Sequence, residues 1–394
     1  MDRKPRVLLT NDDGPPGIDS PYVFGFAKHL ALDLGWDVKV VIPSSQKSWI
    51  GKAYQIKEIT KGRYYYPRDP DGHGDVSHVS RPLKRDEGEF AEWILLDGTP
   101  ATCANIGLHN IYKDGIDLVV SGPNLGRNSS AAFALSSGTI GAALSSSLSR
   151  CRAVAISYGT VQHPVPKELF QPAHVLGGKI IQALLRDWGV DKDGIRNNEV
   201  DLYNVNIPMI DNLLEQENGG PEKQMPIVWT SIWRNAYGSL FKPHTLEQSN
   251  AEVPAGGPDA RITASRSSPG DGVPQNSVPD ISETKTPTKT PSPPGPSDHK
   301  HGYEFHSHAP ELVFKFAPDM SGLIGRRVKA PPGSDAWAIE RGWVSVTPLR
   351  ATFAEPSLDW DDKSTAIVDE CANNPQLSDI IPGNLDPGVR FFKL

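Results

Sequence analysis

Two adjacent carboxylates, Asp12 and Asp13, stand at the end of the apolar run Arg6–Thr10 and are followed at once by Gly14-Pro15-Pro16-Gly17. Neighbouring side chains on a continuing strand point to opposite faces, so the pair can share one ion only where the chain turns. The Gly/Pro cluster supplies that turn, although an isolated Asp-Asp-Gly is also an ordinary Asx-rich connection. A second polar stretch, Ser121-Gly122-Pro123-Asn124-Leu125-Gly126-Arg127-Asn128, again follows an apolar run. Its glycines allow close backbone approach, and its asparagines offer neutral carbonyl oxygens and amide donors. A third, Ser136-Ser137-Gly138-Thr139, opens a helical run. Hydroxyls, free N–H groups and the positive helix end together make an anion pocket, while ordinary N-capping explains the same hydroxyls. A fourth loop, residues 43–52, holds Ser44, Ser45, Lys47 and Ser48.

These loops need elements to position them. Arg6–Thr10, Asp37–Pro43, Trp93–Leu96 and residues 118–121, 153–157 and 202–207 read as strands. Most are near-continuous apolar runs, as parallel strands covered on both faces must be. Helical patterns lie between them at residues 20–34, 100–110, 138–148 and 172–188. Pro100 behind Thr99 is a first helical position behind a capping hydroxyl. The alternation predicts an α/β fold, a Rossmann-like, mostly parallel sheet with helices on both faces.

The 394 residues carry 40 basic and 47 acidic side chains, a net charge of −7, which argues against binding to nucleic-acid polymers or anionic membranes. Three scattered cysteines, Cys103, Cys151 and Cys371, make neither a disulfide framework nor a CxxC metal site. No apolar run reaches the length of a membrane span, and the first strand begins too early to leave room for a leader, so a cytosolic location is expected. Residues 251–300 hold ten prolines, no aromatic residue and five of Val, Ile, Leu or Met, too little apolar surface to offset the entropy of ordering. The sequence therefore predicts a core of residues 1–245 and 303–350, a disordered insertion at 246–302 and a C-terminal extension at 351–394. Residues 64–89 form a shorter polar excursion, expected as an exposed loop or hairpin.

Taken in order, Asn11-Asp12-Asp13-Gly14, Ser48, Asp97-Gly98-Thr99-Pro100, SGPNLGRN at 121–128 and Ser136-Ser137-Gly138-Thr139 closely resemble the SurE family of survival-protein nucleotidases and phosphatases. Asn204-Val205-Asn206-Ile207-Pro208 and Gly342-Trp343-Val344-Ser345-Val346-Thr347-Pro348-Leu349 extend the likeness. The resemblance implies one divalent cation held by Asp12, Asp13, Ser48 and Asn124, with Asp12 and Asp13 also catalytic. Ser48 is chosen by its distance from Pro43, with Ser44 and Ser45 close by. Phosphate handling maps onto Asn128, Ser137, Gly138 and Thr139, with Asn11 in support. Carboxylate, hydroxyl and amide oxygens are hard ligands suited to Mg²⁺ or Mn²⁺, whereas zinc would recruit His or Cys, and neither occurs in these loops.

The implied reaction is hydrolysis of nucleoside monophosphates by an activated water, with an aspartyl-phosphate route as a rival. A non-catalytic nucleotide-binding scaffold and a short-chain polyphosphate hydrolase are the alternative functions. The family implies an assembly of two or four copies. The chain departs from the common GTPADC at Thr102, where a packing or capping effect is expected, and in residues 229–238, which could redirect base selectivity. Tyr64-Tyr65-Tyr66 reads as a packing patch in preference to a stacking platform. Asp335 and Glu340 read as structural. His299, His301, His306 and His308, with the Thr286-Pro287, Thr290-Pro291 and Ser292-Pro293 pairs, read as features of a solvated linker.

Overall fold

The computed structural model of the chain describes residues 3–113, 115–160, 164–218, 225–243, 312–318 and 329–354. The chain divides into two units, Met1–Ala351 and Thr352–Leu394. The expectations for Cys371, the four insertion histidines, the Ser/Thr-Pro pairs and the insertion lie outside the described residues.

The first unit is built on strands β1 (Arg6–Thr10), β2 (Asp37–Pro43), β3 (Gly62–Pro67), β4 (Gly74–Ser77), β5 (Trp93–Leu96), β6 (Leu118–Leu125), β7 (Arg152–Thr160), β8 (Leu202–Met209), β9 (Ile227–Trp229) and β12 (Val344–Leu349). Among the described residues they form one sheet in the order β4-β3-β5-β2-β1-β6-β7-β8-β12-β9. From β5 to β8 every neighbouring pair is parallel, while β3–β4, β3–β5 and β8–β12 are antiparallel. The excursion after residue 64 is thus largely the β3–β4 hairpin. Tyr65 and Tyr66 are buried in it, with Arg81 stacked 3.8 Å from the Tyr66 ring, a packing role.

Helices α1 (Val23–Lys28) and α5 (Phe170–Arg186) cover one face, α2 (Pro100–Ile106) and α4 (Gly138–Leu148) the other. Alternation along β1 sets this division: Val7 and Leu9 pack with Tyr22, Phe26 and Ile181, while Leu8 packs with Cys103, Ile140 and Ala143. α1 and α2 each run on into a π-helical turn, His29–Asp33 and Gly107–Ile111, so the long helical patterns read from sequence divide in two. Thr99 caps α2 by accepting from the Thr102 N–H at 3.1 Å, and the Thr102 hydroxyl lies 3.0 Å from Thr99 Oγ1. The departure at Thr102 is therefore spent on capping.

Short elements without strong periodicity in the sequence include α3 (Ala131–Ser136), α6 (Asn212–Asn218) and β9. A separate ribbon pairs β10 (Phe241–Pro243) with β11 (Phe314–Phe316), antiparallel, with Pro243 opposite Phe314. α7 (Asp335–Glu340) precedes β12. The order of the sheet reverses at β1, which has β2 on one side and β6 on the other. Ligands of open α/β sheets bind in the crevice beyond the carboxyl ends of such strands.

Candidate active site

Asp12 and Asp13 leave the end of β1 at that crevice, and both are buried. The turn that aims them is pinned by Asn11, whose Nδ2 donates to Gly14 O at 2.8 Å and Ser20 Oγ at 3.0 Å, while its Oδ1 accepts from the Gly14 N–H. Asn11 therefore shapes the turn from inside. Opposite, β6 continues past Ser121 through a register shift to Asn124 and Leu125. This path depends on Gly122, at φ +122°, where a Cβ would lie 2.1 Å from the Ile156 carbonyl oxygen.

Each carboxylate is held by a neutral donor. Thr139 Oγ1 donates to Asp12 Oδ1 at 2.6 Å, and the Leu125 N–H donates to Asp13 Oδ2 at 2.7 Å. Burial pushes the Asp12 carboxyl up to about 6, held back mainly by the Thr139 hydroxyl. Asp13 stands well above the usual carboxylate range, first through burial and then through the charge of Asp12 beside it. Among the described residues no ion pair reaches either carboxylate. Two adjacent buried carboxylates without a counter-charge are costly, and a cation would offset that cost.

The remaining residues fit the same demand. Asn124 donates its Nδ2 to Gly126 O at 2.7 Å, which leaves Oδ1 as its acceptor end. Ser48 lines a cleft with Asp12, Asn124, Asn128 and Ser137. Of the two nearby serines, Ser44 donates to Asp97 Oδ1 at 2.6 Å, and Ser45 Oγ accepts from Lys47 Nζ at 3.1 Å. The loop is brought to the site by the Lys47 N–H donating to Asp12 O at 2.6 Å and the Gly51 N–H donating to Ser136 O at 2.9 Å. The donor set is all oxygen, and the residues present suit a hard divalent cation.

α4 starts against Asp12. Ser137 caps it by accepting from the Ile140 N–H at 3.1 Å, so its own hydroxyl proton is free to be donated elsewhere. Gly138 packs so closely that a Cβ there would lie 2.7 Å from Asp12 Cβ. The first turn of an eleven-residue helix thus faces the carboxylates with N–H groups and the positive end of its dipole. Asn128 is fixed from β8: its N–H donates to Asn206 Oδ1 at 2.8 Å, its carbonyl accepts from Asn204 Nδ2 at 2.8 Å, and its own Nδ2 donates to Ser157 Oγ at 2.9 Å. The i, i+2 spacing of Asn204 and Asn206 puts both on one face of the strand.

Of the residues expected from sequence, Asp12, Ser48, Asn124, Asn128 and Ser137 share the cleft wall. Asp13, Gly138 and Thr139 do not line it but touch residues that do, Asp13 through the Leu125 N–H and Gly138 and Thr139 through Asp12, and Asn11 lies within the turn. Trp49, Phe133 and Arg127 also line the cleft and were not singled out; the aromatic character of Trp49 immediately after Ser48 was the available signal. Asp335 is buried, and its carboxylate accepts from the N–H groups of Ser130 at 2.6 Å, Trp233 at 3.0 Å and Ala336 at 2.8 Å, a structural clamp on the segment after Asn128. A different acidic group, Asp75, Glu87 and Glu89, is spanned by Arg68 and Arg81 and is an ion-pair network of the excursion.

The family model described as survival protein SurE matches residues 7–239, more than half of the chain. A yeast protein, the probable tubulin–tyrosine ligase PBY1 of Saccharomyces cerevisiae, is 35% identical over 279 residues, which cover 66% of this chain and 35% of that protein. The chain thus spans about a third of the length of this relative. The 5'-nucleotidase SurE of Ruegeria pomeroyi is 31% identical over 216 residues, covering 52% of this chain and 68% of the relative. That of Geobacter sulfurreducens is 30% identical over 232 residues, covering 59% and 70%. The crystal structure of the SurE protein from Aquifex aeolicus superposes with a TM-score of 0.49 at 20% identity, covering 93% of this chain and 99% of that one. Among the described residues no helix is long and apolar enough to cross a membrane.

Proposed function

The chain belongs to the SurE family, and on that premise we propose that it is a divalent-cation-dependent phosphomonoesterase acting on nucleoside monophosphates. The observation that carries this reading is the convergence of Asp12, Ser48, Asn124 and the start of α4 on one cleft, with the buried Asp13 carboxylate bonded to the Leu125 N–H of the same wall and, among the described residues, no ion pair to either carboxylate. The relatives named 5'-nucleotidase support the substrate class.

Asp12, Asp13, Ser48 and Asn124 would hold the cation, which when bound supplies Lewis-acid polarisation of a phosphoryl oxygen and of water. The protein's own groups account for the rest. The Ser137 hydroxyl receives a phosphoryl oxygen, and the start of α4 at Gly138 and Thr139, which holds Asp12, adds the positive end of its dipole to stabilise charge that grows there in the transition state. Thr139 and the Leu125 N–H fix the two carboxylates so that one can accept the proton released as water attacks phosphorus and the P–O bond to the alcohol breaks. Asn128, immobilised by β8 and Ser157, keeps the opposite wall in register.

Hydrolysis of p-nitrophenyl phosphate with added Mg²⁺ or Mn²⁺, and again with chelator, tests the reading. Cation-dependent turnover is expected; turnover unchanged by chelator, or none under any cation, would contradict it.

A further inference from the structure

The cleft is also lined by the aromatic rings of Trp49 and Phe133, which phosphoryl transfer does not use. Trp49 follows Ser48 directly and has φ +64°, a left-handed conformation that costs a bulky residue on the order of 1–3 kcal/mol and persists where its surroundings fix it. Three rings from three other segments do so. Phe133 of α3 lies 5.8 Å from the indole, Tyr237 6.2 Å and Phe316 of β11 5.2 Å. Tyr237 is itself held, its hydroxyl donating to Ala132 O at 2.6 Å. The Ala131 N–H donates to Trp233 O and the Ala132 N–H to Asn235 Oδ1, both at 2.8 Å, so the divergent segment 229–238 is stitched to α3.

The indole is half-buried and lines the same cleft as Asp12, Ser48 and Asn124, together with Phe133 and Leu125. A cleft lined both by hard oxygen donors and by flat apolar rings suits a ligand that combines the two chemistries. That ligand carries a phosphoryl group at one end and a planar ring at the other.

Resting on the phosphomonoesterase reading, we propose that Trp49 is a specificity-determining residue that receives the aromatic base of the leaving group, so that the site favours nucleotides over phosphomonoesters of aliphatic alcohols. Stacking of a base on an aromatic side chain contributes about 1–3 kcal/mol.

The test compares kcat/KM for 5'-AMP and ribose 5-phosphate, with Mn²⁺, in the wild-type chain, Trp49→Gly and Trp49→Phe. Glycine removes the ring while accepting the left-handed backbone, so Ser48 keeps its place. Trp49→Gly is expected to lose about 10- to 100-fold on 5'-AMP, mainly through KM, and at least fivefold less on ribose 5-phosphate. Trp49→Phe is expected to recover most of the 5'-AMP activity. Equal losses on both substrates, or no loss on 5'-AMP, would overturn the role of Trp49. A wild-type chain inactive on both substrates would instead overturn the underlying reading, and the proposal with it.

Discussion

Thr139 Oγ1 donates a 2.6 Å hydrogen bond to Asp12 Oδ1, tying the first turn of α4 to the end of β1 across 127 residues of sequence. The bond favours the ionised carboxylate and partly offsets the burial that, with the bond in place, still raises the group to about 6. A carboxyl must be ionised to hold a cation, so apparent Mn²⁺ affinity is expected to weaken as pH falls through about 6. In Thr139→Val the lowering influence is gone, the Asp12 carboxyl titrates higher still, and the loss of affinity begins at higher pH. A hydrogen bond to a charged group contributes about 1.5–3 kcal/mol, so activity near neutral pH should drop about 10- to 100-fold. Calorimetric titration of Mn²⁺ at several pH values checks this, and identical pH dependence in both proteins would contradict it.

Gly138 sets how closely α4 approaches the carboxylates. A Cβ at this position would meet Asp12 Cβ at 2.7 Å and Ile50 Cγ2 at 3.1 Å, so Gly138→Ala must displace either the helix start or Asp12. A displacement of about 1 Å at a catalytic site can cost about 100-fold. Phosphatase activity is expected to fall by that order while circular dichroism stays native.

His174 reports on the core instead of the site. It is fully buried in α5, with Nδ1 3.0 Å from the Tyr158 hydroxyl, and burial, aided by His29, pushes it down to about 3. The unfolded chain's histidine titrates near 6.5, so the unfolded state binds the proton first. The stabilising contribution is complete above about 6.5 and is lost progressively as pH falls towards 3. Between pH 7 and 5 the loss is on the order of 2 kcal/mol. Urea unfolding at both values should show that much less acid sensitivity in His174→Gln than in the wild-type chain, even where the substitution lowers stability overall.

The sequence disclosed the parallel centre of the sheet because parallel strands covered on both faces must be continuously apolar, as 118–121, 153–157 and 202–207 are. It understated β6 and β7, whose ends run on into polar residues that pair at the crevice, such as Asn124 with Ser157. Ser48, chosen among three serines by position alone, is the one that lines the cleft, whereas Ser44 bonds Asp97. What remained hidden depends on distant contacts. Nothing near Asp335 in the chain announces that it clamps Ser130, 205 residues away, and nothing near Tyr237 announces Trp49. Such partners are fixed by tertiary packing, which has no local period to read.

Pro243 of β10 and Phe314 of β11 are paired, although 70 residues of sequence separate them. Replacing residues 246–302 by a short Gly/Ser linker is therefore expected to leave the melting temperature within about 2 °C, because both paired strands of the ribbon are kept and loop-closure entropy changes slowly with length. Thermal melts and p-nitrophenyl phosphate turnover check this, and loss of cooperative unfolding would show that the segment belongs to the core.

The account rests on the capacity of Asp12 and Asp13 to hold one divalent cation. Calorimetric titration of Mn²⁺ into the wild-type chain and into Asp13→Asn tests it most directly. The wild-type chain should bind one ion and hydrolyse 5'-AMP. Asp13→Asn should bind at least 100-fold more weakly and lose turnover, yet remain at least as stable without metal, since one of two repelling buried charges is gone. Equal affinity in the two proteins, with turnover retained, would contradict the account.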